Sequence, residues 1–318
     1  MNYIEQAYKG KNEWYHWLFT IVIVFFGWQV LGVLPLVLAA AGKSESIAQF
    51  TEFAKDNFMT AGLDKNFLLF LLLVMFLFGL MFLFIGVKYI HQRSFISLIT
   101  SRTKVDWKRF FYGFFVWGIL AVSMTYASIS LAPENFIWNF NAAPFFTLVA
   151  ISFIFIPFQT GFEELLFRGY FMQGIGVLVK NRWVPLVVTS FVFGLLHGTN
   201  PEVAKLGQIT MVYYIGTGLF FGIVTLMDEG TEIALGLHAV NNITAAFFVT
   251  TDWTVFQTDA LYKDISEPSV SWEMFLPVFI LYPTMLFLFS KIYGWTDWKE
   301  KLTGKITKPD SLKETIEV

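Results

Sequence analysis

Glu163, Glu164 and Arg168 lie within Gly161-Phe162-Glu163-Glu164-Leu165-Leu166-Phe167-Arg168, in one of the most apolar parts of the chain. Two further polar clusters interrupt apolar stretches. One is Phe193-Gly194-Leu195-Leu196-His197, the other His238-Ala239-Val240-Asn241-Asn242. In a helix Glu164 and Arg168, four apart, share a face, with the acid in the better orientation for an ion pair. Glu163 is turned about 100° from Glu164. The spacing predicts that Glu164 and Arg168 neutralise each other and leave Glu163 free to act. His238 and Asn242, also four apart, share a face as well. A carboxylate and an imidazole that share a water can deprotonate it for hydrolysis. A second imidazole with an amide can donate hydrogen bonds to a developing oxyanion. Glu163 with His197, opposed by His238 with Asn242, therefore reads as an amide hydrolase. The same residues admit a metal reading, in which Glu163, His197 and His238 make a usable zinc set with a position left for water. A structural reading also applies, since polar side chains hold membrane helices together. That is the expectation for Glu164 and Arg168 as support and for Phe193 as packing.

The elements that must position these groups are membrane helices. Of 318 residues, 56% are hydrophobic and 14% charged, where a soluble domain carries about 25% charged residues. Leu18 to Ala41 and Phe67 to Val87 contain no charge, and roughly 20 residues at about 1.5 Å rise cross the hydrocarbon core. The pattern predicts an all-α polytopic membrane protein of about eight transmembrane helices, near 18–41, 67–90, 110–132, 145–166, 184–198, 207–227, 231–250 and 272–292. Residues 1–318 read as a single integral-membrane domain, with the motifs in 145–250 and a solvated tail at 293–318. Region 163–183 either extends the fourth helix or lies along the interface. An amino terminus placed inside puts 17 of 22 Lys and Arg on the inner side, so both termini are expected in the cytoplasm. A net charge of −2 predicts no nucleic-acid partner, and the lack of cysteine excludes disulfides, thiolate zinc sites and cysteine nucleophiles. Helix arithmetic from a turn at 180–182 puts Glu163 and His197 at similar depth, about 27 and 24 Å away. His238 lies only about 12 Å beyond the acidic turn at 228–230. The three groups can meet only if the turn near 181 projects beyond the inner surface or the helices bend.

In order and placement, Glu163-Glu164 with Arg168 (EExxxR), Phe193 to His197 (FxxxH) and His238 to Asn242 (HxxxN) resemble the CPBP family of intramembrane proteases. That family includes type II CAAX prenyl endopeptidases and bacterial proteins of bacteriocin maturation and self-immunity. The resemblance covers roughly residues 145–250 and implies a CAAX-protease-like core of eight helices. It implies a glutamate-dependent intramembrane endopeptidase. The sequence as a whole is read as cleaving a peptide or membrane-protein substrate near the cytoplasmic side of the bilayer. Glu163 and His197 would activate water, His238 and Asn242 would form the oxyanion site, and Glu164 and Arg168 would hold the site in shape. No cofactor is expected, zinc being the alternative. The expected location is a bacterial inner membrane, where a prenylated substrate is not anticipated. The rival readings are a non-proteolytic binding or bacteriocin-immunity protein and a transporter with Glu163 as proton carrier, the latter disfavoured by the lack of an inverted repeat.

Overall fold

A backbone crossing lipid must satisfy its own polar groups, so long uncharged segments become helices. The computed structural model describes residues 1–310 and has a helix at each of the eight expected places. They are α1 (Trp14–Ala41), α2 (Lys65–Ile90), α3 (Trp107–Leu131), α4 (Ala142–Val179), α5 (Trp183–Thr199), α6 (Gln208–Asp228), α7 (Glu232–Phe247) and α8 (Trp272–Tyr293). Six are long and apolar enough to span a bilayer, while α5 and α7 are shorter. The protein is an all-α polytopic membrane protein. Large apolar side chains such as Phe115, Ile119, Phe146 and Phe279 stand exposed on the outside of the bundle, as a lipid-facing surface requires. Asp64 accepts from the Phe67 amide (3.0 Å) and Asp106 from the Lys108 amide (3.1 Å), which caps the starts of α2 and α3.

One end of the bundle gathers the amino terminus, the loop from 91 to 106, the turn at 180–182, the turn at 228–231 and the carboxy-terminal stretch. The Glu229 carboxylate accepts from the Tyr3 amide and the Lys301 ammonium, and Arg102 and Arg109 both pair with Asp228. The opposite end carries a small sheet of β1 (Phe136–Trp138), β2 (Val249–Thr250) and β3 (Tyr262–Asp264). Its central strand β3 runs antiparallel to β1 and parallel to β2.

α4 resolves the depth problem. It is one helix of 38 residues, about 57 Å long against roughly 30 Å of hydrocarbon, so region 163–183 extends the fourth helix. Its last turns project past the membrane and are buried under the short helix Ile4–Lys9. There Gln173 donates to the carbonyls of Tyr3 (3.1 Å) and Ser97 (2.8 Å). The helix closes at Lys180, whose φ is +55°. The stretch expected as a solvated tail instead packs on this turn. The Arg182 amide donates to the Gly304 carbonyl (3.1 Å), the Ile306 amide donates to the Lys180 carbonyl (3.0 Å), and Ile306 is buried. Residues 311–318 of that expected tail lie outside the described residues.

Candidate active site

Immediately after Glu163 and Glu164, α4 widens into a π-helical turn over Leu165–Phe171. Such turns occur as insertions within α-helices and are frequent at functional sites. Arg168 sits inside it with no exposed surface. Its Nη1 donates to Glu164 Oε1 at 3.0 Å and its Nη2 to the Gly218 carbonyl at 3.1 Å. The guanidinium carbon lies 4.2 Å from the centre of the Phe193 ring, a cation–π contact. Gly218 allows this approach: a Cβ there would fall 2.7 Å from the Ser190 carbonyl, so α5 and α6 close up only around a glycine.

α7 carries His238 in its second turn and Asn242 one turn further on, both facing α4. Gly236 lets α7 seat against α3, since a Cβ there would lie 2.0 Å from the Phe110 carbonyl. His238 Nδ1 lies 2.7 Å from Glu164 Oε1, so this nitrogen carries the proton and donates to the carboxylate. Glu164 Oε1 therefore serves both Arg168 and His238. His238 Nε2 stands 3.6 Å from Glu163 Oε2 and 3.4 Å from Asn242 Nδ2. Its ring stacks on Phe221, centres 5.1 Å apart.

Glu163 lies on the other side of the His238 ring from Glu164 and lines a cavity. Its Oε1 accepts from Gln159 Nε2 (2.7 Å), while its buried Oε2 makes no hydrogen bond among the described residues. Gln159 Oε1 in turn accepts from Asn242 Nδ2 (3.1 Å). Asn241 donates to Asn242 Oδ1 (3.2 Å) and accepts from Trp117 Nε1 (3.1 Å). A continuous polar chain thus runs from Trp117 through both asparagines and Gln159 to Glu163.

His197 ends the helical part of α5. Its Nδ1 lies 2.8 Å from the Phe193 carbonyl and so donates to it, which leaves Nε2 as the acceptor. The ring stacks on Tyr214 at 4.5 Å and 22°. His197 and Glu163 line the same cavity of about 730 Å³, but no hydrogen bond joins them among the described residues. The structure thus gathers Glu163, Glu164, Arg168, His238 and Asn242 into one network. Phe193 lies between Arg168 and His197, and His197 stands across the cavity. Sequence reasoning missed Gln159, Asn241, Trp117 and Tyr214. Gln159 could have been found: it lies four residues before Glu163 in an apolar span, the spacing that also pairs Glu164 with Arg168.

Among the described residues no three His, Asp or Glu side chains gather as a metal site: of the alternative zinc set, Glu163 and His238 lie 3.6 Å apart while His197 stands across the cavity, so as placed the three do not form a ligand set.

The helical bundle thus holds a buried carboxylate, histidine and amide set at the floor of a cavity. Residues 141–244, about a third of the chain, match the family model described as type II CAAX prenyl endopeptidase Rce1-like. That family consists of intramembrane proteases, and the match supports a peptidase role for this membrane protein. Along most of its length the chain is also similar to the uncharacterized protein YyaK of Bacillus subtilis, at 28% identity over 308 residues covering 95% of this chain and 98% of the relative. No solved structure matches.

Proposed function

We propose that the protein hydrolyses a peptide bond of a peptide or membrane-protein substrate within the bilayer, with Glu163 as general base. Glu163 Oε2 and His197 Nε2 hold the attacking water between them. The water oxygen adds to the scissile carbonyl carbon, and its proton passes to Glu163. The oxyanion that forms accepts hydrogen bonds from Asn242 Nδ2 and from His238 Nε2, which donates when the ring carries a second proton stabilised by Glu164. The carbon–nitrogen bond then breaks, and Glu163 returns the proton to the leaving amine. Gln159 holds Glu163 and Asn242 in register, and Arg168 neutralises Glu164. We also propose that the protein resides in a bacterial inner membrane with both termini in the cytoplasm, on the strength of its Lys and Arg distribution.

The observation that carries this reading is Glu163 itself: a buried carboxylate with one oxygen held by Gln159 and the other unbonded at a cavity wall shared with His197 and His238. The test is Glu163→Gln. General-base catalysis contributes about 10²- to 10⁴-fold, so the variant should lose cleavage by at least that factor and keep its thermal stability in detergent. Membrane peptide fragments from cells producing wild type or E163Q, compared by mass spectrometry, would identify substrates. Full cleavage by E163Q would overturn the assignment.

A further inference from the structure

The floor of the site and the mouth of its cavity face opposite ends of the bundle. Below Glu163 the path toward the termini is closed by side chains with no exposed surface: Glu164, Arg168, Tyr170, Met172 and, from neighbouring elements, Leu98 and Leu226. Above it the cavity wall continues through His197 and Tyr214 to Asn57, Thr199 to Glu202, Thr251 and Thr254 to Phe256. Those segments follow the far ends of α1, α5 and α7, so the mouth lies with the β-sheet, away from both termini. The short α5 creates this shape. Its first 14 residues are α-helical and rise about 21 Å, short of the roughly 30 Å of hydrocarbon. The space beyond His197 is left to the cavity. Charge separates the same two ends. Of the 22 Lys and Arg, only Lys43, Lys55, Lys65, Lys205 and Lys263 belong to the mouth end. Apart from the buried Arg168, the others that the structure describes lie toward the termini.

We infer that the scissile bond is reached from the non-cytoplasmic side of the membrane, not the cytoplasmic side expected from the sequence. The substrate class is then a polypeptide already inserted into or carried across the bilayer, with its cleavage point exposed toward the outer face. The access route rests on topology. Only the substrate class rests on the peptidase reading.

The absence of cysteine from the chain makes the test direct. Val255→Cys places a thiol at the mouth, and Lys299→Cys places one at the terminus end, where both residues are exposed. A membrane-impermeant maleimide is added to intact spheroplasts and, separately, to lysed ones. The expected result is labelling of Val255→Cys before lysis and of Lys299→Cys only after it. Labelling of both after lysis shows that both thiols are reactive, and a wild-type Tm in detergent shows that both variants fold. The reverse pattern, or equal labelling of both before lysis, overturns the inference. In a second arm, a bulky impermeant maleimide on Val255→Cys should abolish cleavage of a substrate found in the fragment comparison, whereas untreated Val255→Cys cleaves it. Undiminished cleavage after full labelling also overturns the access route. Failure of the peptidase reading appears separately, as full activity in E163Q with the labelling pattern unchanged.

Discussion

Removing Arg168 tests how the site is held. Arg168 and Glu164 both have no exposed surface and are joined at 3.0 Å. Breaking a buried ion pair by deleting one partner costs about 3–5 kcal/mol, because the survivor is left charged in a low dielectric. At about 2 °C per kcal/mol for a chain of this size, Arg168→Ala should lower Tm by roughly 6–10 °C. The lost stacking on Phe193 adds to the fall. The double variant Glu164→Gln, Arg168→Met separates charge from packing. It removes both charges, keeps most of the volume and leaves an amide oxygen for His238 Nδ1, so its Tm should fall by less than half as much as that of the single variant. Thermal unfolding of purified protein in detergent, with wild type and both variants side by side, gives the comparison. If Arg168→Ala melts with wild type, or the double variant is as unstable as the single one, the ion pair does not sustain the fold as argued.

Further outcomes follow from the same geometry. Asn242→Ala should reduce cleavage about 10²- to 10³-fold, the usual loss for one oxyanion donor, and a turnover within threefold of wild type would remove Asn242 from that role. Treatment with a chelator should leave cleavage unchanged, since the histidines and Glu163 do not gather as ligands; stoichiometric zinc in purified protein together with chelator-sensitive activity would refute this. His91, just beyond α2, is buried and lies 2.7 Å from the Lys11 carbonyl, and burial lowers its pKa from 6.5 to about 4. The unfolded chain therefore binds a proton between these values that the folded protein does not. The stability contributed by neutral His91 is full above pH 6.5, declines as pH falls toward 4 and levels below it. His91→Gln should flatten the dependence of Tm on pH across that window, and an unchanged slope would sink the point.

What could be read from the sequence and what could not divide along physical lines. The helices were legible because lipid forbids charge over some twenty residues, and Leu18 to Ala41 or Phe67 to Val87 admit no other reading. The Glu164–Arg168 pair was legible because it is local, fixed by a four-residue spacing. The sharing of Glu164 with His238 was not, since it depends on how α7 seats against α3 and α4, down to the missing Cβ of Gly236. Nor was the docking of Ile306, one apolar residue among Lys305, Thr307 and Lys308, which is buried only because the turn at Lys180 offers a backbone partner. The short α5 appeared in the sequence as a brief apolar run. That its end opens a cavity is a consequence of its neighbours' lengths.

The charges of the site also explain why two adjacent glutamates are needed. With His238 carrying the second proton that its oxyanion contact requires, Glu163, Glu164, Arg168 and His238 together carry no net charge in a pocket that solvates charge poorly. An oxyanion formed there by free hydroxide would leave one uncompensated negative charge. In the proposed reaction the proton leaving water goes to Glu163 as the oxyanion appears, so the total stays constant and the charge only moves, toward Asn242 and His238. Glu164 is engaged otherwise, its Oε1 accepting from both Arg168 and His238, so the free oxygen of Glu163 at the cavity is the proposed acceptor. Glu163→Gln keeps the shape and the Glu164–Arg168 pair yet gives the proton nowhere to go. It should therefore be a stable, inserted and inactive protein, whereas Glu164→Gln should lose stability and activity together.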